Sequence, residues 1–251
     1  MRKPERYPEI RLLGASGNAL EIIDGIHAKD PDVTVVVHDD EGRYDGKMVN
    51  LGGHLLQYGG KINARCCALA PENAFFLLTV GSPRDYRDRR KDIIKRLDLD
   101  DRRWWIYQDP QAVVRSSAEV SLGAIIMAGA YVGAKTHIGT HVILLPQSYV
   151  AHGAWARCRS ILASGAKLNG GSIVGMDCYV GANAVIREGV LIGDGSIIGA
   201  GAVVLNEVPP DSVVVGVPGV VTPREEWDAK KRFVEITDTL GSDTRHPNER
   251  Q

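Results

Sequence analysis

The sequence predicts two folds in series, a small Rossmann-like α/β domain followed by a parallel β-helix. Two observations carry this expectation. A six-residue repeat runs unbroken from Val120 to Val204, and ahead of it a strand, a glycine-rich turn, a helix and a second strand follow one another.

The repeat comes first. Stepping by six from Val120 through Ile126, Val132 and Ile138 to Val204 visits fifteen positions, and fourteen of them are Val, Ile or Leu; the exception is Ala156. The residue four places after each is small or β-branched, from Ala124, Ala130 and Thr136 to Ala202. The residue three places after is glycine at Gly123, Gly129, Gly153, Gly165, Gly171, Gly189, Gly195 and Gly201. A period of six suits neither a 3.6-residue helix nor an alternating strand. It suits a short strand and a bend, with one large and one small side chain turned inward per unit. Three units close a triangular coil of eighteen residues, and stacked coils pair their backbones in parallel. Glycine serves the bends, where positive φ or close backbone approach is needed. Spacing alone leaves the hand of the coil open.

The N-terminal elements follow in order. Ile10 to Leu13 reads as a strand running into Gly14-Ala15-Ser16-Gly17-Asn18. Ala19 to Ala28 has helical spacing, with Leu20, Ile23 and Ile26 apolar. Val33 to Val37 is a β-branched strand ending at His38-Asp39-Asp40, and Phe75 to Val80 is a strand ending at Gly81-Ser82. Tyr86 to Leu97 reads as a charged amphipathic helix, and the glycine-rich stretch 42–70 as a loop. Glu225 to Leu240 reads as a helix before a disordered end. The expected divisions are 1–108, 109–221 and 222–251.

Composition narrows the function. The chain has 251 residues, 44% hydrophobic and 24% charged, with a net charge of -1. No basic excess points to nucleic acid, and no apolar run approaches the roughly 20 residues of a membrane span. With no signal-peptide core in the first residues, the cytoplasm is the expected compartment. Of the four cysteines, Cys66 and Cys67 are adjacent, while Cys158 and Cys178 lie in the repeat. Without a C-x-x-C pair, neither a zinc site nor a redox motif is expected, and the thiols read as free and buried.

Three features carry chemistry. A glycine turn between strand and helix exposes backbone N–H groups at a helix N-terminus, where a phosphate binds; without a ligand it is a plain connection. The G-x-G-x-x-G fingerprint is absent, so NAD is not expected. Asp39 and Asp40 follow the next strand, where ligands bind in open α/β sheets and a carboxylate accepts hydrogen bonds from a ribose or base; the bland alternative is a solvated acidic turn. His152 stands two places after the inward Val150, which puts it outside on a prism edge. A neutral imidazole there accepts the proton that acyl transfer must remove from its nucleophile. One coil later, eighteen residues on, is Gly170, whose N–H is placed to donate to a developing oxyanion. His137 and His141 read as surface residues.

The segments LLGASGNALEIID, VVVHDD, FFLLTVGSPRDYRDRR, SYVAHG and GAGAVV…VPPDSVVVGVPG, in this order, resemble the bacterial nucleotide-sugar N-acetyltransferases and sialic-acid O-acetyltransferases of the PglD/NeuD type. The resemblance runs from about Ile10 to Val221. It implies a left-handed β-helix, a homotrimer, acetyl-CoA as co-substrate in grooves between prisms, no metal, and a nucleotide-linked amino sugar held by the first domain. By resemblance, Gly14, Ala15, Ser16 and Gly17 form the phosphate turn, and Asn18 follows it in the nucleotide-sugar site. Asp39 and Asp40 match the acidic pair near the nucleotide's base, and Gly81 follows the next strand. His152 is the general base, Gly170 faces the thioester oxygen, and Gly170, Ala182 and Ala200 lie along the coenzyme. Four positions depart from the pattern: Gly153 stands for an acidic residue, Leu145 for an asparagine, Ile161 for a second histidine and Asn18 for another histidine. The expected activity is direct acetyl transfer to an amino sugar. Acetylation of a sugar hydroxyl and a non-catalytic ligand-binding trimer are the alternatives.

Overall fold

The structure is a computed structural model that describes residues 9–15, 17–40, 48–51, 53–81 and 86–229. An N-terminal α/β domain packs against a left-handed parallel β-helix.

The β-helix is built from two-residue strands stacked in parallel on three faces. The first face runs upward through Tyr107–Gln108, Ile125–Ile126, Ile143–Leu144, Ile161–Leu162, Tyr179–Val180 and Ile197–Ile198. The second runs from Val113–Val114 through Tyr149–Val150 and Lys167–Leu168 to Val203–Val204, and the third from Glu119–Val120 through Trp155–Ala156 to Leu191–Ile192. Partners on each face are eighteen residues apart, as in Tyr131↔Tyr149 and His137↔Trp155. The inward ladders, Ile126, Leu144, Leu162 and their equivalents with Ala124, Val142 and Ser160, are fully buried. Each buried Val, Leu or Ile contributes about 1.5–3 kcal/mol of transfer free energy. The six-residue period is thus the period of a core side chain.

The bends follow the same arithmetic. From Gly123 to Gly201, each sixth residue has φ between 55° and 73°. Where the sequence does not place glycine, the left-handed position falls on Lys135, His141, Gln147, Arg159, Asp177 and Asn183. That conformation costs an L-residue roughly 1–2 kcal/mol, so the stacked ladders on either side impose it.

In the first domain, β1 (Glu9–Leu13) is followed by α1 (Gly17–Lys29), β2 (Thr34–His38), β3 (Met48–Leu51), β4 (His54–Tyr58), α2 (Ala64–Ala68), β5 (Phe75–Leu78) and α3 (Tyr86–Leu97). The sheet order is β3-β4-β2-β1-β5, parallel except for the β3–β4 hairpin. The expected strands and helices are present with small shifts of their ends. Residues 48–70 differ from the expected loop: they form the hairpin and α2, with Asn63 capping α2 through a side-chain bond to the Arg65 N–H. The hairpin escapes periodicity because it is a short sheet edge, with Met48 and Leu55 exposed and Leu56 buried. Residues 41–47 and 52 lie outside the described residues. At the far end, β-strands at Ser212–Val215 and Val220–Pro223 close the coil, and the helix expected from Glu225 to Leu240 is described as α4 (Arg224–Ala229); residues 230–251 lie outside the described residues. Among the described residues no helix is long and apolar enough to cross a membrane.

The two domains share a core. Ala19, Ile22, Ile23 and Ile26 of α1 cluster with Ile125, Met127, Ile143 and Ile161 from the first face of the β-helix. Gly25 permits this approach, because a Cβ there would collide with the Tyr107 hydroxyl. On the edge between the third and first faces, α3 binds turn residues of successive coils. Arg90 donates to the His141 carbonyl, Lys91 pairs with Asp177 at 3.0 Å and Arg87 pairs with Asp211. His141 is therefore not a surface residue as expected: it is 7% exposed, with its ring edge-on to Trp104 at 4.5 Å. Its burial comes from α3 and the Trp104 segment, which the repeat pattern does not encode. His137 is exposed and lies 3.0 Å from Glu119.

Candidate functional site

The glycine turn sits at the carboxyl ends of β1 and β5, where connections leave the sheet in opposite directions; this is the switch point at which α/β sheets bind ligands. Gly14 has φ 119°, and a Cβ on it would come 2.8 Å from the Val80 side chain. Thr79 locks the turn by donating to the Leu13 and Gly14 carbonyls at 3.1 and 2.6 Å. Ala15 is buried, while Gly17, the first residue of α1, faces open space. Ser16 lies outside the described residues. Gly81 lies against the Asn18 amide, with Ile143 and Ile161 of the β-helix 3.7 Å beyond where its Cβ would be. The turn, Asn18 and Gly81 therefore form one crevice over the first face.

The acidic pair is divided. Asp39 is 3% exposed, and its carbonyl accepts from the Tyr58 hydroxyl at 3.3 Å. Asp40 accepts from the Ile62 N–H at 2.9 Å and pairs with Arg96 at 3.1 Å. Beside them, burial and then the Arg11 guanidinium push the His38 imidazole down to about 4, so it stays neutral.

His152 occupies a different region, on the edge between the second and third faces. It is exposed, and its ring lies over Gly170: a Cβ on Gly170 would stand 2.8 Å from Cε1 and 3.0 Å from Nε2. The structure thus brings these two predicted residues together. The bends at 169–172, 181–184 and 199–202 use the amides of their first, third and fourth residues and spare the second. Around Gly170, the Asn169 amide donates to Ile186 and the Gly171 amide to His152, while the Gly170 amide carries no hydrogen bond among the described residues. Ala182 and Ala200 hold the same place in their bends. Their neighbours Gly181, Asn183, Gly199 and Gly201 donate, and their own amides carry no hydrogen bond among the described residues. The Gly170, Ala182 and Ala200 bends therefore each present an open donor, whereas at the equivalent place Pro146 has no N–H and the Met176 N–H donates to Asp194 Oδ1 at 2.8 Å.

Ala182 and Ala200, however, lie on the edge between the first and second faces. Within one chain they are separated from His152 and Gly170 by the whole second face, and the crevice at Gly14 and Gly81 is opposite the His152 edge. The chain alone does not unite the three groups. Leu145 and Ile161, which stand for a family asparagine and histidine, also lie away from His152 within the chain. Ile161 is fully buried in the core shared with α1, and Leu145 packs on it half-buried, so packing accounts for their apolar character. Gly153 sits at the left-handed position with φ 64°, which favours glycine over an acidic residue.

Two residues beside His152 escaped the sequence reading. Trp155 is 38% exposed on the third face, and the Arg157 guanidinium lies 4.9 Å over its ring. An exposed tryptophan two places from a repeat corner is the signal that was available. Among the described residues no group of three or more His, Cys, Asp or Glu is placed to hold a metal.

Residues 171–206 match the family model described as bacterial transferase hexapeptide (six repeats). An 80-residue stretch, 32% of this chain, is 39% identical to GDP-perosamine N-acetyltransferase of Escherichia coli O157:H7 and spans 36% of that protein's length. In three dimensions the chain is similar to the acetyltransferase domain of PglB from Neisseria gonorrhoeae FA1090, with a TM-score of 0.74 and 25% identity over 86% of this chain and all of that one; that domain has a second structure in complex with acetyl coenzyme A. PerB from Caulobacter crescentus, in complex with CoA and GDP-perosamine, shares the fold at a TM-score of 0.68 and 24% identity over 85% of this chain and 97% of that one.

Proposed function

We propose that this hexapeptide-repeat protein is an acetyl-CoA-dependent N-acetyltransferase acting on the amino group of a nucleotide-linked sugar. The observation that carries the reading is the contact between the His152 ring and Gly170, beside an edge of open backbone amides. An imidazole and a free N–H on adjacent coils supply the two requirements of acyl transfer, a proton acceptor and an oxyanion donor. The names of the similar proteins support an amino sugar as acceptor and acetyl-CoA as donor.

In this reading His152 takes a proton from the sugar amine as its nitrogen bonds to the thioester carbon. The Gly170 N–H donates to the carbonyl oxygen as negative charge develops there. The C–S bond then breaks, and His152 returns its proton to the departing thiolate. Transfer is direct, because among the described residues no Ser or Cys nucleophile stands beside His152. The open amides of Ala182 and Ala200 line the coenzyme's path, and the crevice of Gly14, Ala15, Gly17, Asn18 and Gly81 takes the nucleotide phosphates, with Asp39 and Asp40 at its margin.

Because these groups lie on different edges, the reading requires a ring of copies. The His152 edge of one protomer faces the Ala182 edge and crevice of the next, an arrangement that closes as a homotrimer. The test is CoA release with acetyl-CoA and a panel of nucleotide-linked amino sugars. His152→Ala should lower kcat at least about 100-fold while acetyl-CoA still raises the Tm. Unchanged turnover in that variant refutes the base. Wild-type protein that acetylates sugar hydroxyls instead fits the O-acetylation alternative, and one with neither turnover nor acetyl-CoA-dependent stabilisation is a scaffold.

A further inference from the structure

Away from the His152 edge, His27 of α1 and His54 of β4 face each other with Nδ1 atoms 3.2 Å apart and ring centroids 5.0 Å apart. Each ring has a second partner. His54 Nε2 lies 2.6 Å from the Asp24 carboxylate, and the His27 ring hydrogen-bonds the Val33 backbone. A carboxylate on Nε2 fixes the ring N–H there and leaves the lone pair on Nδ1. This is the usual second-shell arrangement of a metal-bound histidine. The His54 Nδ1 lone pair thus faces His27 Nδ1, and either a proton on His27 Nδ1 or a cation between the two rings satisfies it.

The spacing identifies the kind of cation. Imidazole nitrogens at about 2.0–2.1 Å from zinc, separated by a tetrahedral angle, stand about 3.3 Å apart. We infer that His27 and His54 form a two-histidine site for a divalent transition cation of the zinc–copper class. Asp24 is the positioning carboxylate, and water completes the coordination. Hard cations are disfavoured, since both ligand atoms are imidazole nitrogens. The site joins residues 27 positions apart and would clip the β3–β4 hairpin to α1. It is separate from acetyl transfer, and no three-residue metal motif announces it in the sequence.

The test uses the full chain and metal salts alone. With substoichiometric Cu²⁺, electron paramagnetic resonance should show two imidazole nitrogens bound. With Zn²⁺, the Tm should rise with the logarithm of metal concentration. In H27Q/H54Q the stabilisation should vanish with far-UV circular dichroism unchanged, and Asp24→Asn should weaken it several-fold. A copper spectrum with thiolate ligation, or with fewer than two imidazoles, overturns the inference, as does equal zinc stabilisation of H27Q/H54Q. The copper spectrum is read on wild-type protein and stands whether or not the variants fold.

Discussion

At the level of single residues, Gly170 and His152 define each other. The Gly170 backbone is not in the left-handed region, so an alanine there has no backbone strain to oppose it, but its methyl would meet the imidazole at 2.8 Å. Gly170→Ala should therefore fold normally yet lose activity comparably to His152→Ala, because the ring must swing away. Thermal melts and CoA-release assays separate these two effects. Buried histidines make a second residue-level prediction. His141 is pushed down to about 3 by burial and then by Arg90, and His38 to about 4. The unfolded chain takes up protons near pH 6.5 while the folded chain does not, so stability present above that pH is lost as the pH falls toward 4 and 3. Each contributes on the order of 1–3 kcal/mol. Urea midpoints measured from pH 7 to 4 should fall steadily, and His141→Asn should flatten the slope while lowering stability at pH 7.

At the level of elements, the attachment of α3 decides how firmly the first domain is held. Asp177 is 6% exposed and accepts from Arg159 at 2.7 and 2.9 Å while pairing with Lys91 at 3.0 Å. Burial alone would raise its carboxyl; the bonds from Arg159 and Lys91 outweigh burial and hold it below the usual range. Asp177→Asn leaves two cations facing an amide and should cost about 2–4 kcal/mol, read from urea unfolding. Repeat elements were legible in the sequence because one inward side chain per six residues leaves a visible trace. The β3–β4 hairpin was not, because a short exposed edge strand buries too little to leave a pattern. His141 was misread for a related reason: its position in the bend was legible, but the helix covering it comes from another part of the chain.

At the level of the whole molecule, His152 and Gly170 lie on one edge of the prism, Ala182 and Ala200 on another, and the glycine turn over the face opposite His152. Sedimentation should show a trimer. Complementation is the sharper measurement. Gly17 faces open space, so Gly17→Glu should fold but repel a phosphate at the α1 N-terminus. His152→Ala and Gly17→Glu should each be inactive alone. Refolded as an equal mixture, they should recover about one quarter of wild-type activity, since a quarter of the interfaces in a random ring pair two intact halves. No recovery would mean that base and phosphate turn act within one chain.

By itself the sequence determined the coil: its eighteen-residue turn, the inward ladders, the outward place of His152 and the glycine turn of the first domain. These follow from local chemistry, since burial of one aliphatic side chain per unit and the tolerance of glycine for positive φ act over a few residues. Tertiary structure alone decided which face of the prism the first domain covers, and therefore that His152 lies opposite it. Outward side chains carry no period. Only the packing of α1 on Ile143 and Ile161, and of α3 along the His141 and Asp177 edge, selects one face of three.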